Sequence, residues 1–147
     1  MRYFEDFEAG EVIELGDYPL SEQELLDFAR KYDPQPFHVD ADAARDSPFG
    51  GLIASGWHST AMFMRLWVDR ILNDTASMGS PGVEQIRWLV PVRPGDVLRG
   101  RVTIAEAAPS RTRPDRGTLI TEGELLNQRD EVVMTIRARG FVARRDL

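Results

Sequence analysis

The chain has 147 residues, 42% of them hydrophobic, with no cysteine and a net charge of −6. This length suits one domain, 1–147, with a core of ordinary size, and the composition excludes a disordered chain. The acidic balance argues against nucleic-acid binding, and the lack of cysteine excludes disulfides, thiolate metal sites and cysteine nucleophiles.

The sequence offers no membrane segment. Its longest apolar stretch, 52–72, is interrupted by His58, Arg65, Asp69 and Arg70, so it does not suit a bilayer span. The N-terminus carries acidic residues where a signal peptide would need an uninterrupted apolar run. We therefore expect a cytoplasmic protein that contacts neither membrane nor nucleic acid.

The first predicted helix runs from about Ser21 to Tyr32. Ser21 and Glu24 form a capping box, in which each side chain can meet the backbone N–H of the other residue. The helix should end at Tyr32 because Pro34 and Pro36 cannot continue it. We expect the segment that holds these prolines to be stiff and non-helical.

Two more helical segments precede the sheet. Asp40 is expected to cap a short turn through Ala44, and residues 48–51, PFGG, form a loop. From about Gly56 to Leu72 the sequence predicts a long helix. It is apolar on most sides, which indicates a central, buried position.

The second half of the chain is rich in β-forming residues. Alternation of apolar and polar residues indicates long antiparallel strands with one face open to water. The predicted strands are 83–89, 97–105, 118–126 and 132–142, with a short strand near 12–15. Early helices followed by such a meander predict an α+β domain, with the sheet wrapped around a buried helix.

The candidate catalytic residues lie in the segment DPQPFHVD, residues 33–40. A carboxylate and an imidazole held on a stiffened loop, Asp33 and His38, can converge on one water molecule. Their neutral and ionised forms supply a general base and a general acid near neutral pH. Local sequence alone also allows Asp33 to be a helix-ending residue and His38 to be a structural histidine.

A second candidate feature is GGLIASG, residues 50–56, which precedes the long helix. A glycine at a helix N-terminus lets a ligand approach free backbone N–H groups, and the helix dipole there favours developing negative charge. Gly56 is therefore a candidate oxyanion-binding residue. The alternative is a tight turn that packs a buried helix.

The basic residues are almost all arginine: Lys31 is the single lysine among 18 basic side chains. Codon bias in a GC-rich genome would explain this. Alternatively, a few arginines bind a phosphorylated ligand, because a guanidinium group matches phosphate oxygens bidentately. The densest group, Arg111 and Arg113 with Arg116, falls in a turn between two predicted strands and is otherwise a solvated loop.

Three segments, DPQPFHVD, SPFGGLIASGW and PVRPGDVLRGRV, resemble the MaoC-like dehydratase family, relatives of the R-specific enoyl-CoA hydratases. The resemblance covers nearly the whole chain, and the step from His38 to Gly56 matches the family spacing. It implies a single hotdog domain, in which a curved antiparallel sheet wraps around a long central helix. It also implies a homodimer with the active site near the subunit interface.

The resemblance further implies the roles of the site residues. Asp33 and His38 would activate water for attack at C3 of a trans-2-enoyl-CoA and deliver a proton to C2, giving an (R)-3-hydroxyacyl-CoA. The N–H of Gly56 would bind the thioester oxygen. No metal and no redox cofactor is implied, since coenzyme A is part of the substrate. The candidate substrate-binding residues are Gln35, Gly51, Ser55, Trp57, His58, Arg111 and Arg113.

Two residues depart from the family pattern and indicate a specialised substrate. Gln35 replaces an asparagine, and Ser55 replaces a frequent histidine. Two other functions stay open. A hotdog acyl-CoA thioesterase would need a carboxylate on the long helix, where only Asp69 stands, in a poor position. A non-catalytic acyl-CoA-binding subunit would be favoured by loss of the acid–base pair, yet both residues are present.

Overall fold

The computed structural model describes residues 1–146, so Leu147 of the expected domain lies outside it. The helices are α1 (Glu22–Tyr32), α2 (Pro36–Val39), α3 (Ala41–Arg45) and α4 (Gly56–Arg70). The strands are β1 (Val12–Pro19), β2 (Gly82–Trp88), β3 (Val97–Pro109), β4 (Arg116–Leu126) and β5 (Val132–Ala143). Short 3-10 helices precede β1 and follow α4.

All five strands form one antiparallel sheet in the order β1-β3-β4-β5-β2. The long helix α4 lies against one face of this sheet, and its buried side chains join those of the strands in one hydrophobic core. Met62, Phe63 and Leu66 are the centre of that helix face. The predicted α+β domain, an antiparallel sheet around a long helix, is therefore confirmed.

Small residues on the strands allow α4 to approach the sheet closely. A methyl group at Gly123 of β4 would lie 2.3 Å from the ring of Phe63. A methyl group at Gly100 of β3 would lie 3.1 Å from Leu66. The close seating of α4 fixes the position of its N-terminus, Gly56, relative to the strand ends.

The predicted helices differ from the structure in two respects. The segment after Gln35 is not a non-helical loop: it forms one helical turn, α2, with Pro36 at its first position. Proline is tolerated there because its missing N–H has no intrahelical acceptor to lose. Moreover, α4 is not buried on all sides, since Trp57 is 58% and Met64 48% exposed.

Candidate active site

The two predicted catalytic side chains lie next to each other. Asp33 is the C-cap of α1 and His38 belongs to α2, so the turn between these helices folds one residue back onto the other. His38 Nε2 lies 3.3 Å from Asp33 Oδ2. The imidazole is buried, whereas the carboxylate keeps a solvent-exposed edge. The structure thus brings an acid–base pair together in the predicted segment.

The other ring nitrogen of His38 fixes its tautomer. Nδ1 lies 2.7 Å from the backbone carbonyl oxygen of Ile53. A carbonyl oxygen can only accept, so Nδ1 carries the proton and donates it. In the neutral ring, Nε2 therefore presents its lone pair on the side of Asp33, where it can take up a proton from a bound water.

Two side chains orient the Asp33 carboxylate. Gln35 Nε2 donates to Oδ1 at 2.7 Å, and the Ser55 hydroxyl donates to Oδ2 at 2.7 Å. Burial alone would raise the pKa of Asp33. The two hydrogen bonds, together with the positive charge that His38 carries when it is protonated, outweigh burial and lower this pKa below its ordinary value. Asp33 is therefore a carboxylate at neutral pH.

The N-terminus of α4 faces the same site. Gly56 and His38 line one cavity of about 340 Å³, here called the His38 cavity. The other residues that line it are Phe49, Ile53, Ala54, Ser59, 88–92 and Val133. The N–H of Gly56, the first helical residue, has no acceptor within the helix. A carbonyl oxygen placed beside Gly56 could accept from that N–H and would lie near the positive end of the helix dipole.

Gly56 is also required by packing. A methyl group on its Cα would lie 2.4 Å from ring atoms of Trp88, so the indole occupies the space of a side chain. Trp88 ends β2 and comes from a distant part of the chain. Gly56 therefore provides the first N–H of the helix and also leaves the space that the indole fills.

Three of the predicted substrate-binding residues, Gln35, Ser55 and Gly51, have contacts within the protein. Gln35 and Ser55 donate hydrogen bonds to the Asp33 carboxylate. Ser55 is fully buried, so its hydroxyl is not open to solvent. The carbonyl oxygen of Gly51 accepts from Arg93, which also donates to the carbonyl of Phe49. These hydrogen bonds from Arg93 fix the loop that contains Phe49, which lines the His38 cavity.

His58, predicted as a substrate-binding residue, does not line the His38 cavity. It stacks on Phe28 with ring centroids 4.4 Å apart, and its Nε2 lies 3.1 Å from Glu24 Oε2. Its Nδ1 is buried without a partner. Trp57, in contrast, is exposed and meets Trp88 edge to face. The sequence could not tell these directions apart, since the helix is apolar around most of its circumference.

Arg111 and Arg113 do not lie at the site of their own chain. They belong to the β3–β4 turn, at the start of β4, whereas Val133 of the His38 cavity lies beside the end of β4. The length of β4 separates the two places by about 30 Å at the usual rise per residue. Arg111 and Arg113 therefore do not line the His38 cavity.

Two features of the site were missed by sequence reasoning. The hydrogen bond from Ser55 to Asp33 joins the N-cap of α4 to the C-cap of α1, and no local sequence spacing predicts it. Trp88 was placed correctly at the end of a strand, but nothing in its neighbourhood indicates that it packs on Gly56. Both contacts depend on how α1, α4 and β2 come together in the folded domain.

Among residues 1–146, no group of three or more histidine, aspartate or glutamate side chains is arranged to hold a metal ion. Over the same residues, no helix is long and apolar enough to cross a membrane.

Comparison with known proteins shows the family. Residues 6–122 match the model of the MaoC-like domain. The chain belongs to the MaoC-like dehydratase family. An (R)-specific enoyl-CoA hydratase of Rhodospirillum rubrum is 28% identical over 142 residues, covering 95% of both chains. A 3-hydroxybutyryl-CoA dehydratase of Methylorubrum extorquens is 29% identical over 133 residues, covering 90% of this chain and 78% of the relative.

Comparison with solved structures leads to the same family. The crystal structure of the MaoC-like dehydratase from Rhodospirillum rubrum superimposes with a TM-score of 0.92 at 40% identity, over the full length of both chains. This MaoC-like chain therefore has the hotdog fold expected from its sequence. Membership of the family points to hydratase or dehydratase chemistry.

Proposed function

We propose that this MaoC-like protein reversibly hydrates a trans-2-enoyl-CoA to an (R)-3-hydroxyacyl-CoA. The observation that carries the proposal is the arrangement of Asp33, His38 and Gly56. Asp33 Oδ2 and His38 Nε2 lie 3.3 Å apart, and His38 lines the same cavity as Gly56, the first residue of α4. The curated relatives named for the same chemistry support the direction of this inference.

The proposed reaction uses each group in turn. A water molecule donates hydrogen bonds to Asp33 and to Nε2 of His38. Its oxygen attacks C3 of the enoyl thioester while the pair takes up its proton. The electrons of the double bond move toward the thioester oxygen, where the Gly56 N–H stabilises the enolate. The pair then delivers a proton to C2, which restores its starting state.

The first experiment measures two signals with crotonyl-CoA: loss of the conjugated-thioester absorbance and release of free thiol. Hydration removes the first signal and releases no thiol. Asp33→Asn and His38→Ala should each lower kcat by roughly 10² or more, as general acid–base groups do. Far-UV circular dichroism should show an intact fold. Near-wild-type hydration by either variant would contradict the mechanism.

The same assay tests the thioesterase alternative, which no contact in the structure favours. Asp69 is half exposed, lies near the far end of α4 and pairs with Arg65 at 2.7 Å. Asp69→Asn therefore serves as the control carboxylate variant, and its hydration rate should match the wild type. Thiol release that depends on Asp69 would instead support thioester hydrolysis.

We further propose that the protein works as a homodimer in the cytoplasm. Apolar side chains that would be covered by a second copy, including Trp57, Met64 and Val83, are about half exposed in the single chain. Coenzyme A itself is the carrier of the acyl group, and the proposed reaction needs no additional cofactor.

A further inference from the structure

Two separate cavities are lined by residues of the N-terminal half of α4. The first is the His38 cavity, which is lined by His38 of the proposed acid–base pair and by Gly56. The second, here called the apolar groove, has a volume of about 500 Å³ and lies between α4 and strands β4 and β5. Thr60, Phe63 and Met64 line it from the helix, and Ile136 and Ala138 from β5. Hydrocarbon could occupy this groove, since its walls are almost entirely apolar.

The indole of Trp88 stands between the two cavities. On one side it lines the His38 cavity and covers Gly56. On the other side its Nε1 donates to the Thr60 hydroxyl at 3.3 Å, and its ring meets Trp57 edge to face at 5.2 Å. Thr60 and Trp57 both line the apolar groove. Three contacts with α4 therefore hold Trp88 as a partition.

We infer that Trp88 sets the acyl-chain length, and that the substrate is a short enoyl thioester confined to the His38 cavity. This rests on the proposed function. A cavity of about 340 Å³ is near the lower end of ligand-pocket volumes, and it must also hold the thioester group. An acyl chain that continued past C3 beside Gly56 would meet the indole before it reached the groove.

The test replaces Trp88 and measures binding with unreactive saturated thioesters, so that no turnover is needed. Calorimetry gives Kd for butyryl-CoA and octanoyl-CoA. The wild type should bind octanoyl-CoA no more tightly than butyryl-CoA. In Trp88→Ala the ratio should move toward octanoyl-CoA by about tenfold or more, the effect expected when two or more methylenes become buried.

Two further variants show that the gain comes from the groove. In Trp88→Ala/Ala138→Phe the ring refills the groove, and the ratio should return toward the wild-type value. Leu89→Ala also enlarges the His38 cavity but leaves the partition in place, so its ratio should change less than about threefold. Trp88→Phe keeps a ring but loses the donor to Thr60. If the alanine variant does not fold, the ratio for Trp88→Phe should lie between the wild-type ratio and the one expected for Trp88→Ala.

Kinetics with crotonyl-CoA and trans-2-octenoyl-CoA complete the experiment. An unchanged octanoyl preference in Trp88→Ala and in Trp88→Phe, or a wild type that already prefers octanoyl-CoA, would overturn the role of Trp88. A wild type that binds with the expected selectivity but hydrates neither substrate would leave this role standing and overturn the proposed function instead.

Discussion

Ser55 is the residue on which helix geometry and proposed chemistry depend together. Its hydroxyl accepts from the N–H of Trp57, as an N-cap, and donates to Asp33. In Ser55→Ala, Asp33 loses a donor that helps keep its pKa low. We expect the acid limb of the kcat–pH profile to move to higher pH and kcat to fall. The measurement is the pH–rate profile of hydration.

Ser21→Ala is the matched control for that variant. Ser21 caps α1 through the N–H of Glu24 but makes no contact with Asp33. Both substitutions should cost about 1 kcal/mol of stability through the lost cap. Only Ser55→Ala should move the acid limb. Equal pH profiles for the two variants would reduce Ser55 to a capping residue.

His58 should make stability depend on pH. Burial lowers the pKa of His58, and the contact with Glu24 opposes this only in part. The unfolded chain therefore takes up the proton at higher pH than the folded chain does. Stability should be constant above the unfolded pKa of about 6.5 and fall as pH drops below it.

Urea unfolding at about pH 7.5 and about pH 5.5 checks this, on either side of the unfolded histidine pKa. His58→Gln keeps a donor for Glu24 and removes the titration, so this variant should lose less stability between the two pH values than the wild type. An equal loss in both proteins would assign the acid sensitivity to other groups.

At the scale of elements, the contact of α4 with β4 depends on Gly123. A methyl group there would collide with Phe63 and also lie 2.8 Å from Ile136. Gly123→Ala should lower the free energy of unfolding by about 1–3 kcal/mol, the range for overpacked cores. Gly140→Ala, on the neighbouring strand β5, meets no atom within 4 Å and is the control. Urea unfolding of both variants makes the comparison.

Most elements could be predicted because their signals are local. The capping box at Ser21 and the alternation in the later strands depend on neighbours a few residues apart, and both elements are present. The turn at Pro36 was predicted wrongly because proline stops a helix from inside but starts one from its first position. Local rules cannot choose between these outcomes.

The site was less predictable than the elements. Asp33 and His38 are close in sequence, so their meeting followed from one segment. The partners that orient or enclose them, Ser55 and Trp88, come from other elements. The direction of the His58 side chain could not be predicted, because the rotation of a helix about its axis is fixed by tertiary packing rather than by a nearly uniform apolar pattern.

At the scale of the whole molecule, the sheet has two edges, β1 and β2. Exposed apolar residues gather beside β2: Val83, Trp88 and Leu89 are each about half exposed. An unpaired strand edge with such residues favours pairing with a second chain. We predict a homodimer by light scattering at micromolar concentration, joined on the β2 side.

Val83→Glu should therefore shift the protein toward monomer. Val12→Glu introduces the same charge on the opposite edge, where Val12 is equally exposed, and should leave the dimer intact. A fully active wild-type monomer would contradict the assembly. Dissociation by Val12→Glu alone would place the interface on β1.

The Trp57–Trp88 pair gives this protein an optical reporter of its own. Trp67, the third tryptophan, is buried in the core, whereas the paired indoles lie 5.2 Å apart beside the His38 cavity. Their electronic transitions should couple and produce a circular dichroism band that disappears with either ring. A thioester entering the cavity would exclude water from one indole and change its emission. Titrations could then follow occupancy without a label, including in Asp33→Asn, where ligand entry is separated from turnover.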